Sequence, residues 1–239
     1  GPMEIKVSSG DIAVQELPAV VVNLFAGVTS PGGATGAVDK ALDGAITRLI
    51  RDGEIKGKRG EITVVHTLGK IPPERVVIVG LGEEAEFGSE SVRWVSAVFA
   101  RELRRIGVSK AATIAHGAGI GGMDAGGSAA AIAEGAFLGL YRFDKYKSDA
   151  NGKRELEALT IVESDETRVG DLEEGVARGA VLARAVMRCR DLVNEPANHM
   201  TPTHLAEAAL DVAQDAGLEV EVLERSDMES LGMGALLGV

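Results

Sequence analysis

Four histidines, one cysteine and three glycine-rich turns are the first groups to weigh for metal ligation, nucleophilic attack or phosphate binding, the 36 Asp and Glu being scattered and mostly explained by a solvated face. His66, His116, His199 and His204 fall in neither of the histidine spacings that bind zinc on a helix, so no metal site is read from them. His66 and His116 close strand-like runs, where a histidine belongs to the core or rim more often than to a ligand set. His204 falls in a first helical turn, where solvent is its default neighbour. Cys189 has no acid–base partner near it in sequence and reads as a small buried helix residue rather than a nucleophile. The glycine-rich turns run from Ser30 to Gly36, from Gly80 to Ala85 and from Gly121 to Ser128. The first fits neither the dinucleotide nor the P-loop spacing. The second spells Gly-x-Gly-x-x-Ala, but Glu83 and Glu84 would face an incoming pyrophosphate. The third ends in the serine of a P-loop yet has Gly127 where lysine must hold the phosphates. A tight turn is the expected role of each. No catalytic, cofactor-binding or metal-ligating residue is assigned within the chain.

The elements that would position such groups alternate. Residues 4–7, 19–26, 61–67, 75–80, 110–115 and 156–162 are short and rich in Val and Ile, and predict strands. Asn23 interrupts the apolar run Ala19 to Ala26. Helical spacing covers residues 37–51, 89–106 (with Ser89 as its cap) and 128–141. Strand and helix in alternation predict an α/β fold with a mixed sheet covered by helices on both faces, residues 4–7 and 61–67 being candidates for antiparallel neighbours. The aromatic and basic cluster Tyr141 to Lys147 reads as a helix end, and residues 144–155 as a polar excursion.

A capping box of Asp171 and Glu174 predicts a long helix to about Val193, with Arg178, Arg184, Arg188 and Arg190 on a solvated or interdomain face. Thr201-Pro202 opens another helix with Leu205, Ala209, Val212 and Ala216 inward and Gly217 at its end. Leu218 to Leu223 alternates between apolar and acidic residues and predicts a half-buried strand.

With 45% hydrophobic residues and a net charge of −11, the chain reads as a globular protein, and the charge disfavours nucleic acid or an anionic membrane as main partner. A single cysteine fits a reducing, cytoplasmic setting, and no apolar run approaches the roughly 20 residues of a spanning helix. Gly1-Pro2 reads as the scar of tag removal.

The stretch Arg190-Asp-Leu-Val-Asn194-Glu-Pro196-Ala-Asn198-His-Met-Thr201-Pro202-Thr-His-Leu205-Ala206 resembles the junction between the two domains of leucyl (cytosol) aminopeptidases. Leu231 to Val239 resembles the segment that follows, and Val79 to Gly82, Glu134 to Asp144 and Tyr146-Lys147 resemble landmarks of that family's N-terminal domain. The resemblance implies a macro-domain-like unit over residues 3–165, a linking helix over 166–195, and the first elements of a truncated catalytic domain over 196–239. It also implies a peptidase that removes N-terminal residues with two divalent ions, zinc or manganese, in a catalytic domain whose ligand motifs lie downstream of Val239. The chain alone is then expected to be inactive, and the whole protein to be a homo-oligomer, a hexamer in the family. The alternatives are a macro-like module that binds a nucleotide or ADP-ribose through its glycine-rich turns, and a structural subunit for assembly.

Overall fold

Val20, Val21 and Val22 are fully buried, as a strand covered on both faces requires. The computed structural model describes residues 2–142 and 154–239, which divide into two compact units, Gly1–Met187 and Arg188–Val239. In the first, β1 (Glu4–Ser9), β2 (Ala19–Phe25), β3 (Ile62–His66), β4 (Arg75–Gly82), β5 (Lys110–Thr113) and β6 (Ala158–Glu163) form one sheet in the order β1-β6-β5-β2-β4-β3. β3 runs antiparallel to β4. The expected antiparallel role of residues 4–7 is not realised: β1 pairs parallel with β6 from Glu4↔Ala158 to Ser9↔Glu163. No short turn joins these two strands, so nothing imposes hairpin geometry on them.

Alternation along the strands splits the core into two layers. Ala19, Val21, Val77 and Val79 face α3 (Ser89–Arg105) and α4 (Ala125–Leu140), burying Phe99, Leu103, Ile132 and Ala136. Val20, Val22, Val76 and Ile78 face α1 (Gly33–Ala41) and α2 (Ala45–Arg51), burying Val38, Leu42 and Ile46. The single helix expected over 37–51 is therefore two. Asp43 and Gly44 turn left-handed, at φ 54° and 78°, and the Asp39 carboxylate accepts from the Thr47 amide at 2.9 Å and its hydroxyl at 2.6 Å. The cap of α3 is Gly88 rather than Ser89, its amide donating to Ser91 Oγ at 3.2 Å.

α5 (Val169–Asn194) starts before Asp171, continuing a short 3-10 turn (Glu166–Arg168) whose cap is Asp165, so the Asp171–Glu174 box does not form. Its buried stripe is Leu172, Gly175, Gly179 and Ala183. Gly175 and Gly179 lie against the backbone of Gly126 and Ala130 in α4, an approach that leaves no room for a Cβ. Cys189, expected to be buried, is exposed.

In the second unit α6 (Pro202–Ala216) is capped by Thr201, whose hydroxyl accepts from the His204 amide at 3.4 Å, and Gly217 ends it at φ 66°. Two short helices follow, α7 (Arg225–Ser230) and α8 (Gly234–Leu237). The expected inward face of α6 is open: Leu205 and Val212 are exposed, and Ala213 is the buried position. The strand expected over Leu218 to Leu223 does not form, and no described strand pairs with this segment. Among the described residues no helix is long and apolar enough to cross a membrane.

Candidate functional site

The helices that follow the adjacent parallel strands β2 and β5 leave for opposite faces of the sheet, α1 to one and α4 to the other. The strands part at their carboxyl ends, which is where open α/β sheets form a ligand crevice. A cavity of about 580 Å³ lies at this point, walled by Asn23 and Phe25 of β2, Gly32 to Thr35 at the start of α1, Ile114, Ala115, Gly117 and Ala118 after β5, Asp11 after β1, and Glu163 and Arg168 at and after the end of β6. A second hollow, about 600 Å³, lies near Pro18, Pro72 and Glu74, where β2 and β4 begin.

The turn Ser30 to Gly36, read from sequence as a turn without phosphate spacing, forms one wall of this cavity. Two of its glycines are required by geometry: Gly33 is left-handed at φ 53°, and a Cβ on Gly36 would press on the Pro31 carbonyl. Gly32 caps α1 without a side chain, and the first turn carries no acidic residue. The first-turn amides therefore have neither an intrahelical acceptor nor a side-chain cap.

Behind the cavity wall a buried histidine holds Asn23. His116 is wholly buried, and loss of solvent pushes its pKa down from 6.5 to about 3, so the ring is neutral. Thr113 Oγ1 lies 2.7 Å from Nε2 and donates to the Ile114 carbonyl at 3.3 Å. That hydroxyl then accepts from Nε2–H, which leaves Nδ1 to accept from Asn23 Nδ2 at 3.0 Å. The Asn23 amide is thus oriented by its partner, with Oδ1 as the atom left for the cavity. Thr35 Oγ1 donates to the Asn23 carbonyl at 2.8 Å and Ser128 Oγ to that of His116 at 2.8 Å, which ties α1 and α4 to the same two residues.

The other glycine turns play no part in the cavity wall. Gly80 and Gly82 make room for residues 57–61: Gly60 donates to the Gly80 carbonyl at 2.9 Å and Gly80 to that of Glu61 at 2.8 Å. The turn Gly121 to Ser128 leads into α4, with Asp124 Oδ1 capping the Gly127 amide at 2.6 Å. His66, His199 and His204 are exposed. Residues 143–147 of the aromatic and basic cluster, and most of the excursion over 144–155, lie outside the described residues. Sequence reasoning missed Asp11, Thr35 and Thr113. The visible signal was Asn23, a polar residue inside an otherwise apolar strand. Among the described residues no group of three or more His, Cys, Asp or Glu side chains is placed to hold a metal.

Residues 21–150 match the model of the cytosol aminopeptidase family N-terminal domain, and residues 187–239 that of the family's catalytic domain. The chain is 37% identical over 242 residues to the probable cytosol aminopeptidase of Alkaliphilus oremlandii (strain OhILAs), covering 99% of this chain and 48% of the relative. The probable cytosol aminopeptidase of Alkaliphilus metalliredigens (strain QYMF) is 39% identical over 241 residues, with the same coverage of 99% and 48%. The chain spans about half the length of the curated relatives it matches. Among solved structures, the bottromycin maturation enzyme BotP in complex with Mn superposes with a TM-score of 0.66 at 28% identity, over 90% of this chain and 40% of that one. A tomato leucine aminopeptidase mutant superposes with a TM-score of 0.77 over 97% of this chain and 46% of that one, a likeness of fold at 22% identity.

Proposed function

Because the chain belongs to the cytosol aminopeptidase family, we propose that it supplies the non-catalytic N-terminal domain, the linking helix and the first catalytic-domain elements of a metallopeptidase that removes N-terminal residues from peptides. The observation that carries this reading is a coincidence of boundaries. The catalytic-domain match begins at residue 187, and the second compact unit begins at Arg188, within α5. One continuous helix thus runs from the domain that holds the sheet into the segment that resembles the catalytic half.

Two divalent ions, zinc or manganese, would supply the Lewis-acid chemistry of such a peptidase. The described residues offer no cluster of side chains that fits them, so no step is assigned to this chain's residues. Its part is scaffolding: the first unit builds a rigid sheet, α5 connects, and α6 opens the second unit. The assembled protein is read as a cytosolic homo-oligomer, a hexamer by resemblance.

A fusion of this chain to the remaining half of the Alkaliphilus oremlandii relative tests the reading. Chelator-sensitive hydrolysis of a leucine anilide is expected of the fusion and not of the 239-residue chain. Turnover by the chain alone, or a folded fusion without turnover, would overturn it.

A further inference from the structure

The two edges of the sheet differ in chemistry. β1, at one end, carries Glu4 and Lys6, whose charged groups lie 3.5 Å apart in solvent. Charges on an edge strand discourage a further strand from adding to it. β3, at the other end, has no charged residue and no proline from Ile62 to Val65.

The ladder fixes which peptide groups of β3 are open. Gly80 donates to the Glu61 carbonyl at 2.8 Å and Thr67 to that of Glu74 at 3.0 Å, so alternate residues from Glu61 to Thr67 turn their peptide groups toward β4. Those of Ile62, Val64 and His66 point the other way, and among the described residues none bonds to them.

Two exposed apolar side chains flank this edge. Leu68 is 91% exposed at φ 52°, in the turn that Lys70 closes onto the Thr67 carbonyl at 3.1 Å. That backbone suits glycine or asparagine, so neither burial nor conformation within one copy accounts for a leucine there. Just before the other end of β3, Gly60 lies against Trp94, which is 45% exposed.

One register joins these features. An antiparallel copy of β3, related by a twofold axis at Val64, pairs Ile62 with His66 and Val64 with Val64, which satisfies all three open residues in both copies. Continued by two residues, it sets Leu68 opposite Gly60 and so beside the partner's Trp94. Glu61 then faces Thr67, and no like charges meet. Two five-residue edges and two Leu68–Trp94 contacts remove roughly 1,000 Å² from solvent, the lower limit for a specific pair.

We propose that β3 is a docking edge for a second copy of this chain, which continues the six-stranded sheet across a twofold axis with Leu68 of each copy on the partner's Trp94. The contact is built from the first unit alone and needs neither the peptidase reading nor the hexamer implied by resemblance.

Sedimentation equilibrium of the 239-residue chain between about 5 and 500 μM, read together with Trp94 emission, tests it. A reversible dimer is expected, with the emission of this single tryptophan moving to shorter wavelength as the dimer fills. Leu68→Asn is the decisive variant, because asparagine favours the left-handed turn and keeps the fold while the apolar contact is lost. Its dimer should dissociate at least about tenfold more readily. His66→Pro removes one outward N–H without touching the bonds to β4 and should weaken the pair as well. A chain that stays monomeric to about 500 μM, a dimer without the emission shift, or an unchanged dimer in folded Leu68→Asn or His66→Pro would each overturn the proposal. The last outcome would move the contact to another surface, such as the exposed apolar residues of α5 and α6. The peptidase reading is untouched by these outcomes, because its test reads hydrolysis by the fusion.

Discussion

Asn23 Nδ2 lies 3.0 Å from His116 Nδ1, joining the last turnout of β2 to the loop after β5 across 93 residues of sequence. The pair sits where two strands separate and the sheet loses its own hydrogen bonds, so side chains take over the role of the ladder. Thr113 and Thr35 extend the link on either side, and the histidine can serve in it only as a neutral ring.

That neutrality makes stability depend on pH. Burial depresses the folded-state pKa of His116 to about 3, below the ordinary 6.5, so the folded chain declines a proton that the unfolded chain accepts. The contribution is fully present above about pH 6.5 and is lost as pH falls toward 3. Urea midpoints should decline across this window, and His116→Gln should be less stable at neutral pH but show a shallower decline. A His116 ring proton that titrates near pH 6.5 in the folded protein would reject this account.

Most of the sheet was legible because Val and Ile runs bounded by Gly, Pro or charge have few alternatives. What was not legible depended on partners distant in sequence. The stripe Val38, Leu42, Ile46 stays in phase through the break at Asp43-Gly44, so periodicity reported one helix where the Asp39 carboxylate reorganises the chain into two. Leu218 to Leu223 alternates correctly yet has no described strand beside it. The cavity escaped for the same reason: Asp11, Asn23, Thr35 and Ile114 lie in four separate segments, and only the sheet order brings them together.

The second glycine turn gives a sharp packing test. A methyl at position 80 would press on the Lys58 carbonyl, and neither backbone can yield without breaking the Gly60 and Glu61 hydrogen bonds that clamp the segment to β4. Gly80→Ala should cost about 1–3 kcal/mol in urea unfolding. An unchanged midpoint would show that this clamp does not form.

The seam between α4 and α5 should behave as a separable contact. Gly179 faces the Ala130 backbone, so Gly179→Leu cannot be absorbed by a side-chain rotation. Hydrogen exchange should accelerate through residues 172–187 of α5 while β2 and β4 keep their protection, since the buried strands form their own core. Retained protection in α5 would contradict the packing described.

Trp94 reports on the clamp from outside the core. It is the single tryptophan, 45% exposed, with the Arg59 guanidinium carbon 5.0 Å from its ring centroid and Gly60 pressed against its edge. The cation faces the negative face of the indole and shields it from water. Arg59→Ala should expose the ring, shift its emission to longer wavelength and cost about 0.5–1 kcal/mol. Arg59→Lys keeps the charge but loses the planar stack, so its spectrum should fall between the two. Identical emission from all three proteins would show that Arg59 does not rest on the ring in solution.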